Sequence, residues 1–247
     1  MGPFLLYKIA EVVKSLRLAS IAAALALIAC GMVFCEDPLA WLNAARKTAG
    51  VLPVAGDPLL SETAARYAAR LAARGLLTHR GDDGSTGLDR YRAMGGTEVR
   101  VGEILGAGPA PGPIEAAWMA SRDHRTLALS PDWTDAGWGS ASSGESLVMV
   151  MMFTRKLVEG LTIAADGSGL RVEGRFVPVQ AAVGVLLNGL VEFPSSVWDP
   201  ARRAFQFVVP ASVLAGYLRL GYRTADGGFI LTNAFTLPRP SGRQDTW

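Results

Sequence analysis

The sequence predicts an α+β chain, with a helical first half and a small all-β sandwich behind an N-terminal signal or anchor segment. Three observations carry this. Residues 37 to about 156 show apolar stripes at helical spacing and then a little strand. From Leu157 onward the pattern turns to alternating apolar residues with glycine-marked turns. Ahead of both, Lys8, Lys14 and Arg17 precede an uncharged run from Leu18 to Cys35, the charged-then-apolar order of export signals. The expected organisation is 1–36 as leader or anchor, 37–156 as the helical domain, 157–238 as the sandwich and 239–247 as a loose tail.

The helical half opens at Asp37-Pro38, an N-cap followed by proline at the first helical position, and Gly50 closes that helix. Asp57-Pro58 opens a second helix in the same way. In it Leu60, Ala64, Tyr67 and Leu71 form one apolar stripe, Arg66, Arg70 and Arg74 lie off it towards solvent, and Gly75 ends it. Short helices are expected around Leu88 to Met94 and from about Pro113 to Ser121, separated by the Gly- and Pro-rich stretch 106–113. Ala136 to Ser142 and Ser146 to Phe153 read as paired strands. The second of these has no polar alternation and is expected to be covered on both faces. Arg90 and Arg92 read as a solvated helix face, and Trp118, Trp133 and Trp138 as core.

In the second half, Val183 to Leu187, Asn188-Gly189 and Leu190 to Phe193 make a hairpin signal. Runs at 170–177, 205–209, 214–222 and 229–237 bring the total to six or seven short strands, the number of an Ig-like sandwich. The run 214–222 also fits a helix.

Composition excludes several functions. Half the residues are hydrophobic and 19% are charged, so the chain is neither disordered nor a coiled coil. A net charge of 24 − 22 = +2 gives no field to gather nucleic acid. The two cysteines, Cys30 and Cys35, sit in the apolar leader, so the folded part has no thiolate or disulfide chemistry. Leu27-Ile28-Ala29-Cys30 resembles the bacterial lipobox, in which the cysteine is lipidated after cleavage. Ordinary cleavage near Cys30 and retention as a single span stand beside it, since 18 uncharged residues just reach the length a spanning helix needs. All three place the rest of the chain outside the cytoplasm, secreted or held at the membrane of the cell envelope.

The two histidines, His79 and His124, flank Gly102-Glu103-Ile104. Two imidazoles and a carboxylate are a ligand set for a divalent cation such as zinc, with an open position at which bound water is acidified. Solvated or capping histidines are the commoner outcome, and no HExxH pair, GxSxG elbow or cysteine nucleophile is present in the folded part.

The series Leu42-Asn43-Ala44-Ala45-Arg46, Asp57-Pro58-Leu59-Leu60, Leu77-Thr78-His79, Leu88-Asp89-Arg90-Tyr91-Arg92, Gly102-Glu103-Ile104, 117–125 and 130–139 resembles bacterial members of the CAP superfamily, the SCP-like secreted proteins, over roughly Pro38 to Arg155. The resemblance implies an α-β-α sandwich with an open cleft gathering His79, Glu103 and His124, able in relatives to bind a divalent metal. It implies no single activity. Ile104 stands where the motif has asparagine and Ser121 where eukaryotic relatives have a second glutamate, so a four-ligand set is not expected. Glu115 and Glu98 are conceivable substitutes that read more simply as solvated charges. Two functions follow as expectations: a ligand-binding or scaffold module of the envelope, with or without a divalent metal in its cleft and with an envelope polymer, lipid or protein as partner, or a metal-dependent hydrolase of extracytoplasmic peptide or glycan. A third treats the β-sandwich as the adhesive part.

Overall fold

The computed structural model describes residues 37–167, 169–177, 185–187, 191–192, 198–199, 201–210, 217–224 and 226–236. Residues 1–36 with Cys30, the expected Asn188-Gly189 turn and residues 239–247 lie outside the described residues. Among the described residues no helix is long and apolar enough to cross a membrane.

The elements run α1 (Pro38–Thr48), β1 (Ala55–Gly56), α2 (Pro58–Arg74), α3 (Gly87–Ala93), β2 (Val101–Gly108), α4 (Pro111–Ala120), α5 (Arg122–Ala128), β3 (Asp135–Ser143) and β4 (Ser146–Thr154) in the helical half. The first sheet has the order β1-β3-β4-β2, with β1 parallel to β3 and the other pairs antiparallel. The interior strand β4 is buried from Val148 to Thr154, as its unbroken apolar run predicts.

Side chains of β4 alternate between two cores. Met149, Met151 and Phe153 pack with Leu42 of α1, Ile114 and Trp118 of α4 and Ala128 of α5. Val148, Val150 and Met152 pack with Leu60, Ala64, Tyr67 and Leu71 of α2 and Tyr91 of α3. A sheet with an apolar layer on each face, each covered by helices, is the α-β-α sandwich that the resemblance implies.

Capping fixes α2. The Asp57 carboxylate accepts from the Leu60 N–H at 2.8 Å, and Gly75 takes the left-handed conformation at the C-terminus with φ of 63°. The helix then lies on the backbone of β3, because Gly137 and Gly139 have no side chain to hold it off. A Cβ at Gly139 would come within 2.3 Å of the Ala65 Cα, and one at Gly137 within 2.3 Å of the Ser61 N.

In α1 the Arg46 guanidinium is fully buried. It donates to the carbonyls of Leu52 (2.8 Å), Ala128 (2.8 Å), Ser130 (3.0 Å) and Trp133 (3.5 Å), tying α1 to the turn after α5. Asn43 exchanges two hydrogen bonds with the Val54 backbone. The Asn43-Ala44-Ala45-Arg46 segment is therefore a pair of loop anchors on one helix, and burial pulls the Arg46 pKa down.

The second half contains β5 (Val158–Asp166), β6 (Gly169–Phe176), β7 (Val185–Leu187), β8 (Val191–Glu192), β9 (Trp198–Asp199), β10 (Ala204–Pro210), β11 (Tyr217–Arg223) and β12 (Phe229–Thr236). They make two four-stranded sheets, β5-β6-β10-β9 and β12-β11-β7-β8. Val172, Phe176, Phe205 and Phe207 of one sheet share a core with Leu218, Leu220, Tyr222 and Phe235 of the other. The Phe176 and Tyr222 rings meet across it at 5.0 Å. Two sheets with a common core are a β-sandwich. Over its described residues the 214–222 run is a strand.

Among the described residues, contacts along β12 join the halves, and an ion-pair cluster anchors the segment that links them. The backbone of Thr97 to Val99 runs antiparallel along β12: the Ala234 N–H donates to the Thr97 carbonyl at 2.6 Å and the Val99 N–H to the Thr232 carbonyl at 3.3 Å. Asn233 Nδ2 also donates to Thr97 Oγ1 at 2.9 Å. Between β4 and β5, the Lys156 ammonium reaches Asp57 at 2.5 Å and Asp135 at 3.2 Å. Asp57 thus caps α2 with one oxygen and holds the junction with the other.

Two outcomes follow. Gly139→Ala drives a methyl group into α2 and is expected to cost about 1–3 kcal/mol in urea denaturation. The same change at Gly112, which has open space on α4, should stabilise by a few tenths to about 1 kcal/mol. For Lys156, burial lowers the pKa and the pairs with Asp57 and Asp135 more than offset this, so the net shift is upward from 10.5. Its contribution to stability is full below that ordinary value and is lost as pH rises through the folded-state pKa. Alkaline melts of Lys156→Met should therefore lack a component of the high-pH decline that the natural chain shows.

Candidate functional site

Glu103 is the third residue of β2 and its side chain turns to the α2 and α3 face, opposite to its neighbours Gly102 and Ile104. Its carboxylate is nearly buried, with 6% exposure, and both oxygens are engaged. Oε1 meets His79 Nδ1 at 2.9 Å and Oε2 accepts from Arg90 Nη2 at 2.6 Å. A carboxylate only accepts, so Nδ1 carries the proton and Nε2 is the nitrogen left for a ligand.

His79 lies in the loop after α2 with its ring 57% exposed, yet its backbone is pinned. The Tyr67 hydroxyl donates to the Thr78 carbonyl at 2.6 Å. Arg90 donates to the His79 carbonyl at 3.3 Å and to the Ser85 carbonyl at 2.8 Å while its guanidinium stands 3.4 Å from the centre of the Tyr67 ring. Burial raises the Tyr67 pKa, opposed by the Arg90 charge, so the phenol remains a donor.

Arg90 therefore organises the site, which corrects its reading as a solvated charge: it is 7% exposed, because Glu103, the loop carbonyls and the Tyr67 face together replace its water. Glu98 and Glu115 are also buried rather than solvated. Glu98 accepts from the Tyr91 hydroxyl at 2.6 Å at the junction with β12. The clue to Arg90 in the sequence is its place beside the core residue Tyr91 on a seven-residue helix, where a long side chain has little surface to leave by. Gly87 admits the carboxylate: a Cβ there would stand 3.3 Å from Glu103 Oε2.

His124 is half-buried on α5, a helix the sequence pattern does not indicate. Leu127 and Ala128 of α5 pack with the core on the Ile104 face of the sheet, the face away from the Glu103 side chain. Of the three expected ligands, His79 and Glu103 are thus brought together. Among the described residues no group of three or more His, Cys, Asp or Glu side chains is arranged to hold a metal ion. With Glu103 turned to Arg90 and His79, and α5 packed on the other face of the sheet, the three expected ligands are not gathered around one point.

Residues 39–153 match the family model for CAP, the cysteine-rich secretory protein family. A bacterial relative, the uncharacterized protein YkwD of Bacillus subtilis, is 28% identical over 103 residues, which are 41% of this chain and 40% of that one. The match therefore spans less than half of YkwD. Among solved structures, an outer surface protein from Borrelia burgdorferi superposes with a TM-score of 0.45 at 21% identity, covering 47% of this chain and 88% of that one. An extracellular protein containing a SCP domain from Bacillus anthracis gives 0.43 at 20% identity, covering 48% and 39%. The first folded half of the chain, residues 39–153, is thus similar to the CAP family.

Arg90→Gln leaves Glu103 charged, buried and without its cation, so it is expected to cost about 3–5 kcal/mol in denaturant unfolding. Adding Glu103→Leu to an Arg90→Leu background should recover most of that loss, which a double-mutant cycle reads directly.

Proposed function

We propose that this chain is an exported protein of the bacterial cell envelope, held there by its N-terminal segment through lipidated Cys30 or as a span, or else secreted. In this reading the CAP half is a ligand-binding or scaffold module, and the β-sandwich offers a second contact surface for an envelope polymer, lipid or protein. The observation that carries it is that the nearly buried Glu103 carboxylate is held between His79 and Arg90, one oxygen on each. A carboxylate with 6% exposure, shared between an imidazole and a buried guanidinium, has little access to a substrate or ion and serves to fix the shape of the loop around it.

The rival reading is the metal-dependent hydrolase, with His79, Glu103 and His124 as ligands. What favours it is the exposed His79 ring with its Nδ1 held by a carboxylate, an arrangement that orients Nε2 towards solvent chemistry. Elemental analysis and zinc calorimetry of the purified protein separate the two. The scaffold reading expects substoichiometric metal, no saturable zinc isotherm and no change in melting on adding chelator. Stoichiometric zinc lost in both His79→Ala and His124→Ala, together with peptide or glycan turnover abolished by His79→Ala, would overturn it in favour of the hydrolase, whereas zinc without turnover leaves a binding module with a metal in its cleft.

A further inference from the structure

Beside Arg90, α2, the 81–85 loop and α3 enclose a cavity of about 260 Å³. Arg66, Arg70 and Arg90 stand on its wall with Asp83 and Asp89. Four of these five charges already have fixed partners. Arg66 is paired with Glu62 at 2.6 Å and Arg90 with Glu103 at 2.6 Å. Asp83 accepts the Ser85 N–H at 2.9 Å, and Asp89 accepts the Thr86 N–H at 2.9 Å and its hydroxyl at 2.7 Å. Arg70 differs: it feels Asp83 through space but makes no ion pair or hydrogen bond among the described residues.

The remaining lining joins the hydroxyl-bearing Thr63 and Ser85 to an apolar part made of the Tyr67 ring, Ala93 and Met94. At roughly 30 Å³ per water, the cavity holds the volume of about nine waters, the size of one hydrophobic amino-acid residue. A guanidinium without a partner presents a planar fork of donors matched to a carboxylate. We propose that this cavity binds a small carboxylate with a compact apolar body, its anionic end on Arg70 and its apolar part against Ala93 and Met94. The site extends the binding-module reading by naming a ligand class, and it does not involve the oxygens of Glu103, so it fails separately from the metal test above.

Calorimetry on the full chain with N-acetyl-leucine, N-acetyl-leucinamide and inorganic phosphate as probes decides it. The carboxylate is expected to bind at least tenfold more tightly than the isosteric amide. Arg70→Gln should remove about that factor, while Arg70→Lys keeps part of it as a point charge. Arg70 is exposed, so melting should be unchanged in both variants; if Arg70→Gln melts lower, the comparison of acid with amide in Arg70→Lys carries the test. Equal binding of acid and amide, phosphate binding as tightly as the acid, or undiminished binding in Arg70→Gln would overturn the assignment. A peptide with leucine at its free C-terminus separates the two sources of such a carboxylate: binding equal to N-acetyl-leucine indicates a peptide end, and exclusion of the longer probe indicates a free small acid.

Discussion

The helical half depends on the absence of two side chains. Gly137 and Gly139 face α2 from one side of β3, and the helix rests on the strand backbone at Ser61 and Ala65. That approach sets the depth of the whole helix, and with it the level at which Tyr67 meets Arg90. The loop that leaves α2 at Gly75 and returns through His79 to α3 is then hung from the Tyr67 hydroxyl and the Arg90 guanidinium. A histidine that is more than half exposed thereby sits on a backbone with little freedom.

Buried or half-buried charge is used repeatedly where distant segments meet. Arg46 takes four carbonyls from the loops beyond α1 and α5, Arg90 takes Glu103 with two loop carbonyls, and Lys156 takes Asp57 with Asp135. Placing an ion away from water costs several kcal/mol, which is recovered only when its partners are all in position. Each such ion therefore favours one arrangement of loops over its near alternatives. This is the reason the site keeps its shape despite the shortness of α3 and α5.

Sequence reasoning reaches the elements whose signals are local. Caps at Asp57 and Gly75, the stripe from Leu60 to Leu71 and the unbroken run of β4 all state their own structure. β2 escapes it because Gly102, Gly106 and Gly108 dilute its strand character, although glycine on an edge strand lets α4 come close. α5 escapes it as a seven-residue helix following directly on α4. The site is half legible: His79 and Glu103 meet, but spacing does not reveal that α5 and the Glu103 side chain belong to different faces of one sheet. Arg90, Glu98 and Glu115 differ from their solvated reading for a related reason, since a charged residue becomes buried only through partners that lie elsewhere in the chain.

The pairing of Thr97 to Val99 with β12 has a consequence for how the molecule is made. Its hydrogen bond from Asn233 to Thr97 closes a loop of 136 residues. A chain emerging N-terminus first exposes the helical half long before residue 234 exists, so that segment waits with unpaired amides while the sandwich is completed. Contacts of such sequence separation form late and slow folding. Assembly of the first half is therefore sealed by a strand that appears about 136 residues later, and a chain interrupted before it would present a bare strand edge beside Glu98.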